Sequence, residues 1–282
     1  MTTINPTPSA PASTRPGRWI SVLLIVLGSI GLVFGVTGGV VRGFASHGAT
    51  DQSWTADAEG VRELRIESSA SRFELLFADV DEATLVAESD GGPVQRWNLE
   101  RRGDTLVVGT DWRWDWVGFG RLFDDGIGDE RATLTVPEEL QAGGLDLDAD
   151  ISAGSFTADA DLALARIDLS AGEFDLAGSA EQLELHVSAG DGRVEIDSAS
   201  SVVLDVSAGR ISGALTGKQP DSIVASVSAG DIDMMIPDGE YAVTEDASAG
   251  SSDVDVVSDS RAAATIDVDV SAGSVTLRGV SR

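Results

Sequence analysis

The chain has 282 residues and a net charge of −28, from 47 acidic and 19 basic residues. This excess of negative charge argues against a nucleic-acid-binding protein, because phosphate binding needs clusters of lysine and arginine. The chain has no cysteine, which excludes disulfides, thiolate nucleophiles and cysteine metal sites.

Residues 1–41 predict a tail followed by a membrane anchor. Residues 1–18 are polar and rich in proline, which is typical of a disordered segment. Residues 19–41 form a run of 23 residues without one charged side chain, long enough for a transmembrane helix. Arg15 and Arg18 precede this run, and all acidic residues follow it. We therefore expect a single-pass protein of the cell membrane, with its N-terminus in the cytoplasm and its C-terminal domain outside.

A cleaved signal peptide is the alternative interpretation of this apolar run. Residues 43–45 (Gly-Phe-Ala) resemble a weak cleavage site, but the run exceeds the roughly 7–15 residues of a usual signal core. Either interpretation exports the rest of the chain. Residues 42–60 are mostly polar and predict a tether between the membrane and the domain that follows.

A domain of β-strands is predicted over residues 61–282, where apolar and polar residues alternate with a period of two. Its main feature is the tripeptide Ser-Ala-Gly, which occurs seven times at steps of 18, 18, 19, 21, 20 and 23 residues. Ser69-Ala70-Ser71 is a degenerate first copy. The glycines at which the copies are predicted to turn are Gly154, Gly172, Gly190, Gly209, Gly230, Gly250 and Gly273.

The spacing predicts the shape of one copy and the way the copies assemble. Apolar residues at alternate positions before and after the tripeptide indicate two strands joined by a tight corner, and glycine permits the backbone angles that such a corner needs. One copy cannot bury its apolar stripe alone, but stacked copies can, each strand pairing with the same strand of the next copy. We therefore expect an all-β fold, a β-solenoid with coils of 18–23 residues, in which the serine hydroxyls face outward.

One segment, residues 109–131, interrupts the repeat. It contains three of the six tryptophans, at alternate positions that share one face of a strand. Exposed aromatic residues mark contacts with proteins, carbohydrates or membrane interfaces, so this aromatic insertion is the predicted contact surface. The alternative is that its aromatic residues cap an open end of the solenoid. The residues concerned are Trp112, Trp114, Trp116, Phe119 and Phe123.

Catalytic and metal-binding interpretations find little support in the residues. Carboxylates at alternate positions, as in Asp146, Asp148 and Asp150, would form rows on stacked strands, and calcium prefers such oxygen ligands. The sequence has neither the glycine-rich calcium-binding repeat nor an EF-hand loop, so we expect a solvated acidic face with at most weak Ca²⁺ binding. His186 lies two residues after Glu184, and we interpret it as a surface histidine. We expect neither an enzyme nor a cofactor.

The sequence from about residue 61 to residue 282 resembles the DUF4097 family of bacterial "putative adhesins" with β-strand repeats. The resemblance rests on residues 102–108 (Arg-Gly-Asp-Thr-Leu-Val-Val), residues 132–137 (Ala-Thr-Leu-Thr-Val-Pro) and the Ser-Ala-Gly corners that follow. It implies a β-solenoid, often behind a membrane segment, without assigned catalytic residues. The insertion at 109–131 has no counterpart in the pattern of the family.

The function predicted from these features is surface interaction or adhesion by a membrane-anchored, extracytoplasmic and non-catalytic β-solenoid. Its partner would be a protein or a glycan that the sequence does not identify. The alternative is a sensing or regulatory module for cell-envelope stress, since the resemblance also implies such proteins. That module would act through a membrane partner, because residues 1–18 are too few for an enzymatic domain.

Overall fold

The part of the chain described by a computed structural model comprises residues 51–90, 94–110, 129–142 and 144–280. All of it belongs to the unit Gly43–Arg282. The predicted tail, the predicted membrane helix and residues 111–128 of the aromatic insertion lie outside the described residues. Within the described ranges, no helix is long and apolar enough to cross a bilayer. The membrane anchor at residues 19–41 stays a prediction.

The described residues form strands almost throughout, and the strands belong to one sheet. This agrees with the predicted all-β class. The strands are β1 Asp51–Asp57, β2 Glu63–Ser68, β3 Ser71–Ala78, β4 Glu82–Asp90, β5 Trp97–Arg102, β6 Thr105–Thr110, β7 Asp129–Pro137, β8 Leu145–Ile151, β9 Gly154–Leu169, β10 Glu173–Asp197, β11 Ser201–Thr216, β12 Ser222–Pro237, β13 Glu240–Ala247, β14 Ser251–Asp255, β15 Val257–Ser258 and β16 Ala264–Val280. A short helix, α1, is Glu139–Ala142.

Copies of the tripeptide that are neighbours in the sheet pair in register through parallel strands. Each copy has a leading arm, the strand residues before the tripeptide, and a trailing arm, the strand residues after it. Leu185 of β10 pairs with Leu204 of β11, which pairs with Ala225 of β12. Ala225 pairs in turn with Val268 of β16. Equivalent positions of neighbouring copies therefore face the same side about 4.8 Å apart, in the registers that alignment of the tripeptides predicts.

The stacking order departs from the chain order at both ends of the sheet. β16 pairs with β12 on one side and with β13 and β14 on the other. At the opposite end, β2 pairs with β8 on one side and with β6 on the other. In the same way, β3 pairs with β9 on one side and with β7 on the other. The expectation that every copy stacks on the next one in the chain is therefore wrong at these two places.

The apolar side chains of β16 explain why this strand lies between β12 and β13 instead of at the edge of the sheet. Ile266 and Val268 of β16 are at most 4% exposed, between β12 and β13. Their register partners in β13 are Val243 and Glu245, and a carboxylate would be costly to bury between two strands. The more apolar arm therefore occupies the buried place, and the arm that carries the charge lies at the edge.

Three strands at the other end run antiparallel to their neighbours, which the repeat does not predict. β4 pairs antiparallel with β7, β1 with β4, and β5 with β6. Ala83 and Leu85 of β4 are fully buried, so this strand covers part of the core. The prediction of a tether over residues 42–60 is wrong for β1, because Trp54 and Ala56 on alternate positions pack against the core.

The core consists mainly of alanine, valine, leucine and isoleucine. Buried and less buried positions alternate along the arms, as in β2 and β12. Among the described residues, Tyr241 is the largest fully buried side chain, and its hydroxyl donates a hydrogen bond to the carbonyl oxygen of Pro237 at 2.8 Å. Burial, with the Asp238 carboxylate as the second cause, raises the pKa of Tyr241 to about 12. This side chain therefore stays neutral at physiological pH.

Candidate functional site

The corner glycines lie where two backbones come too close for a side chain between them. A Cβ built on Gly172 would overlap the carbonyl oxygen of Gly154 and would lie 2.9 Å from its backbone nitrogen. Gly172 also has a φ of 117°, in a region that L side chains rarely adopt. The same overlap with the backbone of a neighbouring copy recurs at Gly154, Gly190, Gly209, Gly230, Gly250 and Gly273. These glycines permit the close stacking and offer no side chain to a ligand.

An exposed ridge of small residues runs beside the column of glycines. It consists of the serines and alanines of the tripeptides, and the serine side chains point to solvent, as alternation along the arms predicts. The exposed serines are Ser152, Ser170, Ser188, Ser207, Ser228, Ser248 and Ser271. The ridge is uncharged and separates the outer faces of the leading and trailing arms.

A row of mostly carboxylate side chains lies next to this ridge on the leading arms, at the position two residues before each serine. Asp150 in this row is in register with Glu67 on one side and with Asp168 on the other. Burial raises the pKa of Asp150, and repulsion from Asp148, Asp168 and Glu67 adds to the effect. We call this set the acidic row: Glu67, Asp150, Asp168, His186, Asp205, Ser226, Asp269 and Asp246.

His186 lies in the acidic row with a carboxylate in register on each side. Its partners there are Asp168 of β9 and Asp205 of β11. Glu184, its neighbour in the sequence, has a different partner, because it accepts a hydrogen bond from Nε of Arg166 at 2.8 Å. His186 is half-buried on the outer face. Its nearest carboxylates by register therefore come from other copies.

The carboxylates of the outer faces are shared among ion pairs instead of converging on one point. Arg65 Nε lies 3.4 Å from a carboxylate oxygen of Asp148. Asp231 accepts a hydrogen bond from Ser274 at 2.5 Å and another from Arg210 at 3.2 Å, and these two bonds, in that order, lower its pKa. Among the described residues, no group of three or more His, Asp or Glu side chains could hold a metal ion.

A buried carboxylate that the repeat does not predict lies near the C-terminal end of the aromatic insertion, in β7. Glu130 is 5% exposed. Its two oxygens accept hydrogen bonds from the indole Nε1 of Trp97 at 2.5 Å and from the backbone nitrogen of Gln95 at 2.9 Å. The Gln95 side chain donates to the carbonyl oxygen of Ser69 at 3.1 Å. The buried Trp97 ring lies 5.7 Å from the ring of Phe73. This network fastens the start of β5 to the corner of the degenerate copy.

The aromatic insertion occupies the place of a corner. β6 and β7 are the leading and trailing arms of one copy, because β6 pairs with β2 and β7 pairs with β3. β6 ends at Thr110 and β7 begins at Asp129, so residues 111–128 stand where other copies have Ser-Ala-Gly. The predicted contact residues lie outside the described residues: Trp112, Trp114, Trp116, Phe119 and Phe123.

Comparison with known proteins finds similarity in structure alone. No protein-family model matches the chain, and no curated protein matches it. Among solved structures, a "putative adhesin" from Bacteroides fragilis has 11% identity and a TM-score of 0.40, over 80% of this chain and 96% of that one. A "putative cell adhesion protein" from Clostridium sporogenes has 7% identity and a TM-score of 0.36, over 82% and 99%. A "putative lipid binding protein" from Parabacteroides distasonis has 13% identity and a TM-score of 0.35, over 85% and 97%. At these scores and identities, the similarities carry no argument about function.

Proposed function

We propose that this chain is a non-catalytic protein of surface interaction or adhesion. In this proposal it is a β-solenoid of the DUF4097 family, held outside the cell by a single membrane span at residues 19–41, with its N-terminus in the cytoplasm. The observation that carries the proposal is the place of the aromatic insertion, at a corner where the fold needs three residues.

The strands on either side of the insertion pair with their neighbours as the arms of the other copies do. Other copies join their arms with Ser-Ala-Gly, and the arms β6 and β7 pair with β2 and β3 as other arms pair with their neighbours. Residues 111–128 are therefore additional to what the sheet needs. An added segment at a corner, rich in tryptophan, is well placed to contact a partner.

Two observations favour contact over capping as the role of the insertion. Trp97 is buried against Phe73, and β4 pairs with the outer side of β7 while β1 pairs with β4. This end of the core therefore has an aromatic side chain and antiparallel strands against it without the tryptophans of the insertion, which supports a contact role for them. Indole rings bind both protein surfaces and sugar rings, so the proposed partner is a protein or a glycan.

The outer faces support a role without catalysis. Their carboxylates are held in ion pairs such as Arg65 with Asp148 and Arg210 with Asp231, or lie in rows of like charge. Rows of like charge keep a β-sheet protein soluble and discourage association of its faces. In this proposal, adhesive contact is therefore assigned to the aromatic insertion and not to the outer faces of the arms.

The test is a triple variant, W112A/W114A/W116A, of the full-length chain in mild detergent. Binding to immobilised glycans and to cell surfaces is measured, together with the thermal melt. We expect an unchanged melting temperature and a loss of binding. As a matched control, Trp97→Ala removes an indole from the same end of the protein and should lower the melting temperature through lost packing.

Two results would contradict the proposal. Unfolding of the triple variant would assign the tryptophans to capping. A triple variant that folds and binds as the unaltered chain does would remove the insertion from the contact surface.

A further inference from the structure

The arms β13 and β14 form an open edge of the sheet. β13 pairs with β16 on its inner side, and on its outer side it pairs with β15 only at Glu240 and Tyr241. β14 pairs with β16 alone. In the described part of the chain, residues 242–247 and Ser251–Asp255 therefore have no strand on their outer side. Such an edge presents unpaired backbone donors and acceptors to another extended segment. We call β13, β14 and β15 together the β13–β14 edge.

The side chains of this edge depart from the pattern of the repeat at two inward positions. Glu245 follows Val268 at the end of a register row whose other members are apolar, including Ile167, Leu185, Leu204, Ala225 and Val268. On the trailing arm, Ser252 pairs with the buried Val275, and its hydroxyl oxygen is buried without a hydrogen-bond partner among the described residues. The apolar stripe of the core therefore ends in polar groups at this edge.

The edge also carries uncompensated negative charge. Within the described ranges, Glu245, Asp246 and Asp253 have no ion-pair partner, and Asp246 is in register with a further carboxylate, Asp269. By contrast, Asp233 of β12, two strands further in, has Arg278 at 3.0 Å. A second copy of the same edge would bring these carboxylates against one another, which is unfavourable. The charge therefore selects against self-pairing and favours a cationic partner.

Apolar groups complete the pattern along the same strands. Val257 of β15 is 62% exposed, more than any other large hydrophobic residue in the described part of the chain. Val243 and Val254 are partly buried and pack against the core. Val243 lies two residues before Glu245, so both face the same side of β13. A strand added here would place one side chain beside Val243 and another beside Glu245, about 4.8 Å away.

We infer that the β13–β14 edge binds an extended, basic segment of another protein as an added strand. The segment has an apolar residue beside Val243 and a lysine or arginine beside Glu245, two positions apart. The backbone of the edge supplies hydrogen bonds, and the carboxylate of Glu245 supplies selectivity for a cation. The strands that flank the aromatic insertion, β6 and β7, lie at the other end of the sheet, and the inference does not depend on the proposed adhesion.

The test uses the full-length chain in mild detergent and a fluorescent peptide, Thr-Val-Thr-Lys-Thr-Val, with binding measured by fluorescence anisotropy at low and high salt. A second peptide with glutamate in place of lysine is the ligand control. Glu245→Lys reverses the selecting charge. Glu195→Lys makes the same change at an exposed outward position of β10 and is the protein control.

We expect the lysine peptide to bind and the glutamate peptide not to bind. Glu245→Lys should weaken binding of the lysine peptide about tenfold or more, since one charge pair turns from attractive to repulsive, and should allow the glutamate peptide to bind. Glu195→Lys should leave both unchanged. Equal binding of the two peptides, equal effects of the two variants, or no binding of the lysine peptide would overturn the inference. Concentration-dependent self-association of the unaltered chain that Glu245→Lys abolishes would replace the basic partner with a second copy.

Discussion

The middle of the sheet and its two ends are built from similar arms but differ in how their apolar side chains are covered. Between Gly154 and Gly230 each copy lies between two others. Its corner consists of glycine and small residues, and its inward side chains form an apolar stripe that is covered on both sides. At one end, antiparallel strands and Trp97 cover the core. At the other, Glu245 and Ser252 end the apolar stripe, and the edge stays open. The inward polar side chains Glu245 and Ser252 therefore occur in the copy that has a neighbouring copy on one side only.

The largest loss of stability is expected from a substitution at a corner in the middle of the sheet. Gly172→Ala places a Cβ against the carbonyl of Gly154 at a φ of 117°. Backbone strain and overpacking together should reduce the free energy of unfolding by about 4 kcal/mol, measured by urea denaturation. Gly103→Ala is the control, because Gly103 at one end has a φ of 72° and nothing within 4 Å of a built Cβ. Its cost should be about 1 kcal/mol, and equal losses would refute the role of close stacking.

A somewhat smaller effect is expected where the core is covered. Trp97→Ala removes a buried ring next to Phe73 and one of the two hydrogen-bond donors to the buried Glu130. We expect a loss of about 3 kcal/mol in the free energy of unfolding. Trp97→Phe keeps most of the packing and removes only the donor, so it should cost about 1–2 kcal/mol. An unchanged stability of both variants would show that other residues close this end.

The smallest effect concerns the acidic row. The pKa of Asp150 is raised by burial and by neighbouring carboxylates, so the folded state holds this proton more tightly than the unfolded state does. The stabilising contribution of the protonated form is present at low pH and is lost as the pH rises through the folded pKa. Asp150→Asn should therefore raise the melting temperature at neutral pH, and the gain should shrink as the pH falls into the carboxylate range. A constant gain at every pH would contradict this linkage.

The sequence predicted the registers of the middle because two signals agree there. Period-two alternation indicates which side chains face inward, and the tripeptide aligns one arm with the next, as the pairing of Leu185 with Leu204 confirms. The same signals could not predict the order of the copies at the ends. Every copy carries the same corner, so alignment shows which positions are equivalent and not which copies are neighbours.

The features around the candidate contact surface were harder to predict for a related reason. Glu130 looks like one more acidic residue in an acidic chain, and only its contacts with Trp97 and Gln95 show that it is buried. β1 was not predicted because it lies in a mostly polar segment, and the side chains that it packs against the core are Trp54 and Ala56. Glu245 did leave a signal, since it is a charged residue at an inward position of the repeat.

The position of β16 has a consequence for how the domain is made. A ribosome releases β13 and β14 before β16, yet in the described part of the chain these two arms pair with β16 and not with β12. Their native pairing can therefore form only after β16 has been synthesised. A nascent chain stopped after Asp255 would hold β13 and β14 without the strand that they pair with in the finished domain.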